Sequence, residues 1–164
     1  MSTRGAVGIR MNGIDKIGYN HFDSYPIELG QQVLNFVQHH SVEELKDLYN
    51  KIKLEKSDND TWDFNRKEFN LVFEDYHNFL KNSLNCEYAY IINLDNNCLE
   101  YYKGFNKDPN AKGRYAKEQI ENNLGYYGVT LETEIPLDQV KNYEAFEEDD
   151  DEGYRIKERK SNNE

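Results

Sequence analysis

Ser2, Arg4, Asn20, His21, Asp23 and Tyr25 are the residues of this chain whose types and spacing could do chemistry. An imidazole beside a carboxylate, here His21 with Asp23 or Asp15, is a general base with an orienting acid. A guanidinium such as that of Arg4 grips a phosphate or a carboxylate through two parallel hydrogen bonds. A serine exposed at the N-terminus by removal of Met1 is a nucleophile whose own amine serves as base. Ser2, His21 and Asp23 would then be the catalytic set of a hydrolase, whereas Arg4, Asn20, His21, Asp23 and Tyr25 would be the binding edge of a ligand site. The same residues also suit a structural lock, with Arg4 paired to Asp23 and His21 bonded to backbone at the entry of a helix.

The elements that bring these side chains together are two strands and a turn. Asn12-Gly13 is the strongest hairpin signal in the chain, because both central residues of a type I′ turn need positive φ. Pairing about it sets Met11 opposite Ile14 and Arg10 opposite Asp15, then Ala6 opposite Tyr19, Arg4 opposite His21 and Ser2 opposite Asp23. Opposed residues share a face, so the polar group collects at the open end of the hairpin, on the side of Ile17 and Tyr19. A bulge at Gly5, Gly8 or Gly18 would break that register. Otherwise these glycines let another element approach the sheet closely.

Downstream, Ser24 and Pro26 open a helix with Leu29, Val33, Phe36 and Val37 on one face, ended by His39-His40. Ser41 to Glu44 is a capping box for a second helix. Residues 54–61 read as a polar loop, and Arg66 to Leu80 as a third helix. Tyr88 to Leu94 and Leu99 to Tyr102 form an aromatic hairpin about Asp95-Asn96-Asn97. A short helix is predicted from Tyr115 to Asn123, a fifth strand from Tyr126 to Glu134 and a last turn or short helix from Pro136 to Val140. The fold class that follows is α+β: an antiparallel sheet of about five strands with two or three helices packed on one face. Residues 1–143 form that single domain. Residues 144–164, which include six consecutive acidic residues from Glu147 to Glu152, form an acidic, disordered C-terminal tail.

The net charge of −11 repels phosphate backbones and anionic lipid, which disfavours direct nucleic-acid binding and favours basic partners. No apolar run is long enough to cross a membrane, and the N-terminus lacks the pattern of a signal peptide, so a cytoplasmic location is expected. Cys86 and Cys98 do not face each other about a tight turn, so no disulfide is expected. His39, His40 and His77 have no metal-ligand spacing, and no metal or cofactor is expected. Tyr88, Tyr90, Tyr101 and Tyr102 suit core packing, or a stacking platform for a nucleobase.

Thr3-Arg4 and the run His21-Phe22-Asp23-Ser24-Tyr25-Pro26, with Gly30 following, resemble the N-termini of short uncharacterised proteins common in bacteriophage genomes. The likeness covers roughly the first thirty residues and extends in weaker form to Tyr88–Phe105. Many proteins of that kind carry Cys where this chain has Asn20, so a thiol at that position is not required. The resemblance implies phage or mobile-element origin and brings no activity with it. Size, acidity and the lack of a catalytic signature favour a phage-type accessory protein. It would bind and modulate a host or anti-phage defence protein, or sequester a small nucleotide-like signal. A hydrolase using His21 or Ser2, and a component of the virion, are the alternatives.

Overall fold

A computed structural model describes residues 3–55, 72–74, 77–119, 124–147 and 153–159. Its centre is a five-stranded sheet. The first hairpin consists of β1 (Gly5–Met11) and β2 (Ile14–Asn20), turning at Asn12 (φ 55°) and Gly13 (φ 76°) as the Asn-Gly signal requires. Pairing runs without a bulge from Met11 opposite Ile14 to Gly5 opposite Asn20. The aromatic hairpin consists of β5 (Tyr88–Asn93) and β6 (Cys98–Lys103). β7 (Thr130–Pro136) completes the sheet, and the strand order is β2-β1-β5-β6-β7.

The α+β class and the five strands stand as expected, but the sheet is mixed. β1 and β5 are parallel, with Gly5 beside Tyr88 and Arg10 beside Asn93. This arrangement sets the turns of the two hairpins side by side. Asp95 accepts the backbone N–H of Asn12 at 2.7 Å and of Gly13 at 2.9 Å, which ties turn to turn.

One sheet face carries Val7, Ile9, Tyr90, Ile92, Leu99, Tyr101 and Ile135, all buried. It is covered by α1 (Gln31–Gln38) and α2 (Val42–Lys51) through Val33, Leu34, Val37 and Leu45. Ser41 and Glu44 make the full capping box that opens α2. Pro26–Gly30 runs into α1 as a π-helical turn that has no side-chain cap. Ser24, expected to cap it, is instead fully buried and bonds back to the sheet corner: its carbonyl accepts the Tyr90 hydroxyl at 2.7 Å. The opposite sheet face carries Ala6, Ile17, Ala89, Ile91 and Tyr102. It packs against Leu80, Tyr115 and Val129 from the 3₁₀ helix His77–Lys81 and two loops.

Three other expectations change. Where a third helix was expected, Val72–Glu74 is a short strand, β4, parallel to β3 (Lys53–Glu55); the rest of 54–76 largely lies outside the described residues. Tyr115 sits in a turn rather than a helix, and residues 120–123 lie outside the description. The region expected to be a disordered tail contains β8 (Tyr143–Glu147) and β9 (Tyr154–Glu158), an antiparallel hairpin. Its Tyr143, Ala145 and Ile156 alternate onto the helical layer, and Ile156 is buried in the main core. The acidic run hid a period-2 pattern on both of its flanks.

Candidate functional site

The open end of the first hairpin fronts a cleft of about 450 Å³. Thr3 and Arg4 reach it from the start of β1, His21 and Tyr25 from the corner after β2, Leu84 and Glu87 from the approach to β5, and Phe105 from the segment after β6. A volume of that size suits a small-molecule ligand. Three of the sequence-predicted site residues, Arg4, His21 and Tyr25, therefore share one cavity.

The corner is built around Gly5. A Cβ there would sit 2.6 Å from both the Ser24 Cβ and the Tyr88 carbonyl oxygen, so only glycine lets Ser24 seat on the strand. Asn20 belongs to this corner and not to the cleft. Its side-chain amide donates to the Phe22 carbonyl at 2.6 Å and to the Ser24 hydroxyl at 2.8 Å. Asp23 also stays outside the cleft: it is exposed, takes φ 54°, and supplies its backbone carbonyl to Leu29 N–H. The expected Arg4–Asp23 pair is not formed, and Asp23 is not an orienting acid for His21. Ser2, the proposed nucleophile, lies outside the described residues.

Arg4 is held at both ends. Its backbone N–H donates to the Glu87 carboxylate at 3.1 Å, and its carbonyl accepts Glu87 N–H at 3.0 Å. Its guanidinium donates to the Asn85 side-chain oxygen at 2.7 Å. Among the described residues no carboxylate forms a salt bridge with that guanidinium, whose partner is neutral, although the Glu87 carboxylate lines the same cleft. The Tyr19 hydroxyl lies 2.6 Å from His21 Nδ1. Burial raises the Tyr19 pKa, while the positive charge of Arg4 pulls it back. Arg4 and His21 line the cleft, and Tyr19 orients His21 from behind the lining. The Phe22 ring closes edge-on against His21, with centroids 4.5 Å apart. Tyr25 packs against Tyr88 and Tyr154 on the other side of the corner.

A second polar cluster went unnoticed in the sequence. At the turn end of the same hairpin, Arg114 donates to Glu100 at 2.7 and 2.8 Å, to the Tyr102 hydroxyl at 2.9 Å and to Asp15 at 3.0 Å. Tyr115 donates to the other Asp15 oxygen, which also takes Arg10 at 3.1 Å. Burial opposes the charge on Arg114, but Tyr115, Tyr102, Asp15 and Glu100 outweigh it and hold the guanidinium protonated. Asp15 is therefore a ligand of arginines and not a partner of His21. The excess of positive residues in 106–114 was the available signal, but nothing local names a carboxylate 99 positions away.

The other candidates are structural. Tyr90, Tyr101 and Tyr102 are buried in the core, so they offer no open stacking platform. Cys86 and Cys98 are free and buried; burial pushes the Cys98 thiol up to about 11 and Cys86 higher still, and neither suits a nucleophile. His39 and His40 bond the Asn35 and Phe36 carbonyls at the end of α1. Among the described residues no cluster of His, Cys, Asp and Glu could hold a metal, and no helix is long and apolar enough to cross a membrane. Comparison of the chain with protein-family models, with curated proteins and with solved structures finds no match.

Proposed function

We propose that this chain is a small acidic accessory protein of phage type that binds rather than catalyses. It captures a small nucleotide-like anion in the Arg4 cleft, in the cytoplasm of a bacterial host, and thereby modulates a host or defence component that depends on that ligand. One observation carries the reading: the Arg4 guanidinium has a neutral partner, Asn85, and borders a cavity of about 450 Å³. An uncancelled guanidinium in a protein of net charge −11 is a local exception to the surrounding field, and a charge-assisted bond to phosphate is the strongest use of it. A long polyanion would meet the acidic surface, whereas a compact anion needs only the cleft.

Calorimetric titration with mononucleotides tests this. The wild type should bind, and Arg4→Ala should abolish measurable binding while leaving the thermal transition nearly in place. Absence of heat with the wild type refutes the capture of a nucleotide-like ligand. A hydrolytic role for His21 has one supporting contact, the Tyr19 hydroxyl on Nδ1, which orients the ring. Turnover of a bound nucleotide, lost in His21→Ala, would establish it, and an intact mass retaining Met1 would remove Ser2 from consideration.

A further inference from the structure

The cleft that holds Arg4 is also lined by an exposed aromatic ring. Phe105 lines the cavity and is 53% exposed, although it is a large apolar side chain. Its backbone takes φ 58°, a left-handed conformation that a bulky residue adopts only under constraint.

The constraint is built around it. Phe105 N–H donates to the Ser83 carbonyl at 2.6 Å. The next residue, Asn106, is buried and anchored three ways: its N–H donates to the Ser83 hydroxyl at 2.9 Å, and its side-chain amide donates to the carbonyls of Ala116 at 3.2 Å and Gly128 at 2.9 Å. Tyr126 stands edge-on to the Phe105 ring at 6.4 Å. A glycine at 105 would meet the same backbone geometry without cost. The fold thus carries a residue of strained, anchored backbone whose ring is half exposed and lines the cavity. Strain retained in that way belongs to function more often than to packing.

We infer that Phe105 is the stacking surface for a nucleobase, so that the ligand of the cleft is a mononucleotide carrying one planar base for Phe105 and one phosphate for Arg4. This rests on the anion-binding reading of the cleft. It adds that the base, and not only the phosphate, contributes affinity. Stacking on an aromatic side chain tolerates any base, so AMP and GMP serve equally as probes.

Affinities for AMP, GMP and ribose 5-phosphate are measured on the wild type, Phe105→Gly and Phe105→Leu. The wild type should bind at least one nucleotide about tenfold or more tighter than ribose 5-phosphate. Both variants should erase that difference and keep the ribose 5-phosphate affinity. Phe105→Gly should melt at the same or a higher temperature, because it relieves the left-handed strain; loss of binding with no loss of stability is what a packing role would not produce. Equal wild-type affinity for nucleotide and ribose 5-phosphate overturns the stacking role and leaves the anion site standing. No binding of any of the three overturns both. A Phe105→Leu variant that keeps the nucleotide preference also overturns the stacking role, even if Phe105→Gly fails to fold.

Discussion

The two ends of the first hairpin make opposite use of arginine. At the turn end, Arg114 meets Glu100, Asp15 and Tyr102, and Arg10 meets Asp15 and, at 3.8 Å, Asp95. At the open end, Arg4 meets an amide oxygen. Both clusters lie on the same sheet face, because residues 4, 6, 8 and 10 alternate to one side. The difference is saturation. Around the buried Glu100 the charges of Arg114 and Arg10 are met by carboxylates, although Arg114 Nε is buried without a hydrogen-bond partner, and the cluster fixes the fold. Where a charge is oriented by a neutral partner beside a cavity, as at Arg4, the proposed ligand would supply the counter-charge. Polar residue types alone do not separate the two cases; their partners do.

Removing each arginine should therefore give opposite signatures. Arg114→Ala takes the cation from the buried Glu100, while Asp15 keeps Arg10 and Tyr115, and should destabilise by about 3 kcal/mol. Arg4→Ala loses one hydrogen bond at a half-exposed site, about 1 kcal/mol. Denaturant unfolding of the two variants measures both. A loss for Arg4→Ala as large as that for Arg114→Ala would erase the distinction and make the cleft a second lock.

Alkali should open the lock. Burial comes first among the causes that raise the hydroxyl pKa values of Tyr90, Tyr101, Tyr102 and Tyr115, and it lifts Tyr88 to about 12. In the unfolded chain these groups ionise near pH 10. A raised folded value means that the unfolded state releases its protons first. The stabilisation is therefore complete below about pH 10 and is lost as pH climbs toward the folded values. The loss is about 1.4 kcal/mol per pH unit for each such tyrosine between its unfolded and folded values, over a narrower span for Tyr88 than for Tyr102. Tyrosinate absorbance followed beside circular dichroism should show the buried tyrosines ionising only as the fold is lost. Titration of all thirteen near pH 10 with the fold intact would contradict the burial of the lock.

Local signals were legible in the sequence and distant ones were not. Asn12-Gly13 specified its turn and, through it, the register that places Arg4 and His21 at one end. Ser41 and Glu44 specified a helix start because a capping box is complete within four residues. The parallel pairing of β1 with β5 joins residues more than eighty positions apart, and no periodicity encodes a neighbour at that range. The same limit hid Asn85 and Glu87 as the partners of Arg4, and Glu100 and Asp15 as those of Arg114. Asn20 and Asp23 were placed in the site by proximity along the chain. The turn after β2 carries them away, Asn20 into the Ser24 corner and Asp23 outward through its left-handed backbone.

The comparison can be sharpened by converting one end into the other. Asn85→Asp keeps the size of the side chain and replaces the neutral oxygen at 2.7 Å from the Arg4 guanidinium with a carboxylate. The backbone N–H of residue 85 still bonds Asn82, so the local turn is retained. The new ion pair is partly exposed and should change stability by less than about 1 kcal/mol, in the stabilising direction if at all. Its effect on the cleft should be larger than its effect on the fold. A guanidinium already paired to a carboxylate has little charge left for a phosphate, and nucleotide affinity should fall by about tenfold, the equivalent of one charge-assisted hydrogen bond. Titration of Asn85→Asp beside Asn85→Gln separates the charge from the shape: the glutamine variant disturbs the contact without cancelling the arginine. Full nucleotide affinity in the aspartate variant would mean that the uncancelled charge of Arg4 is not what the ligand uses.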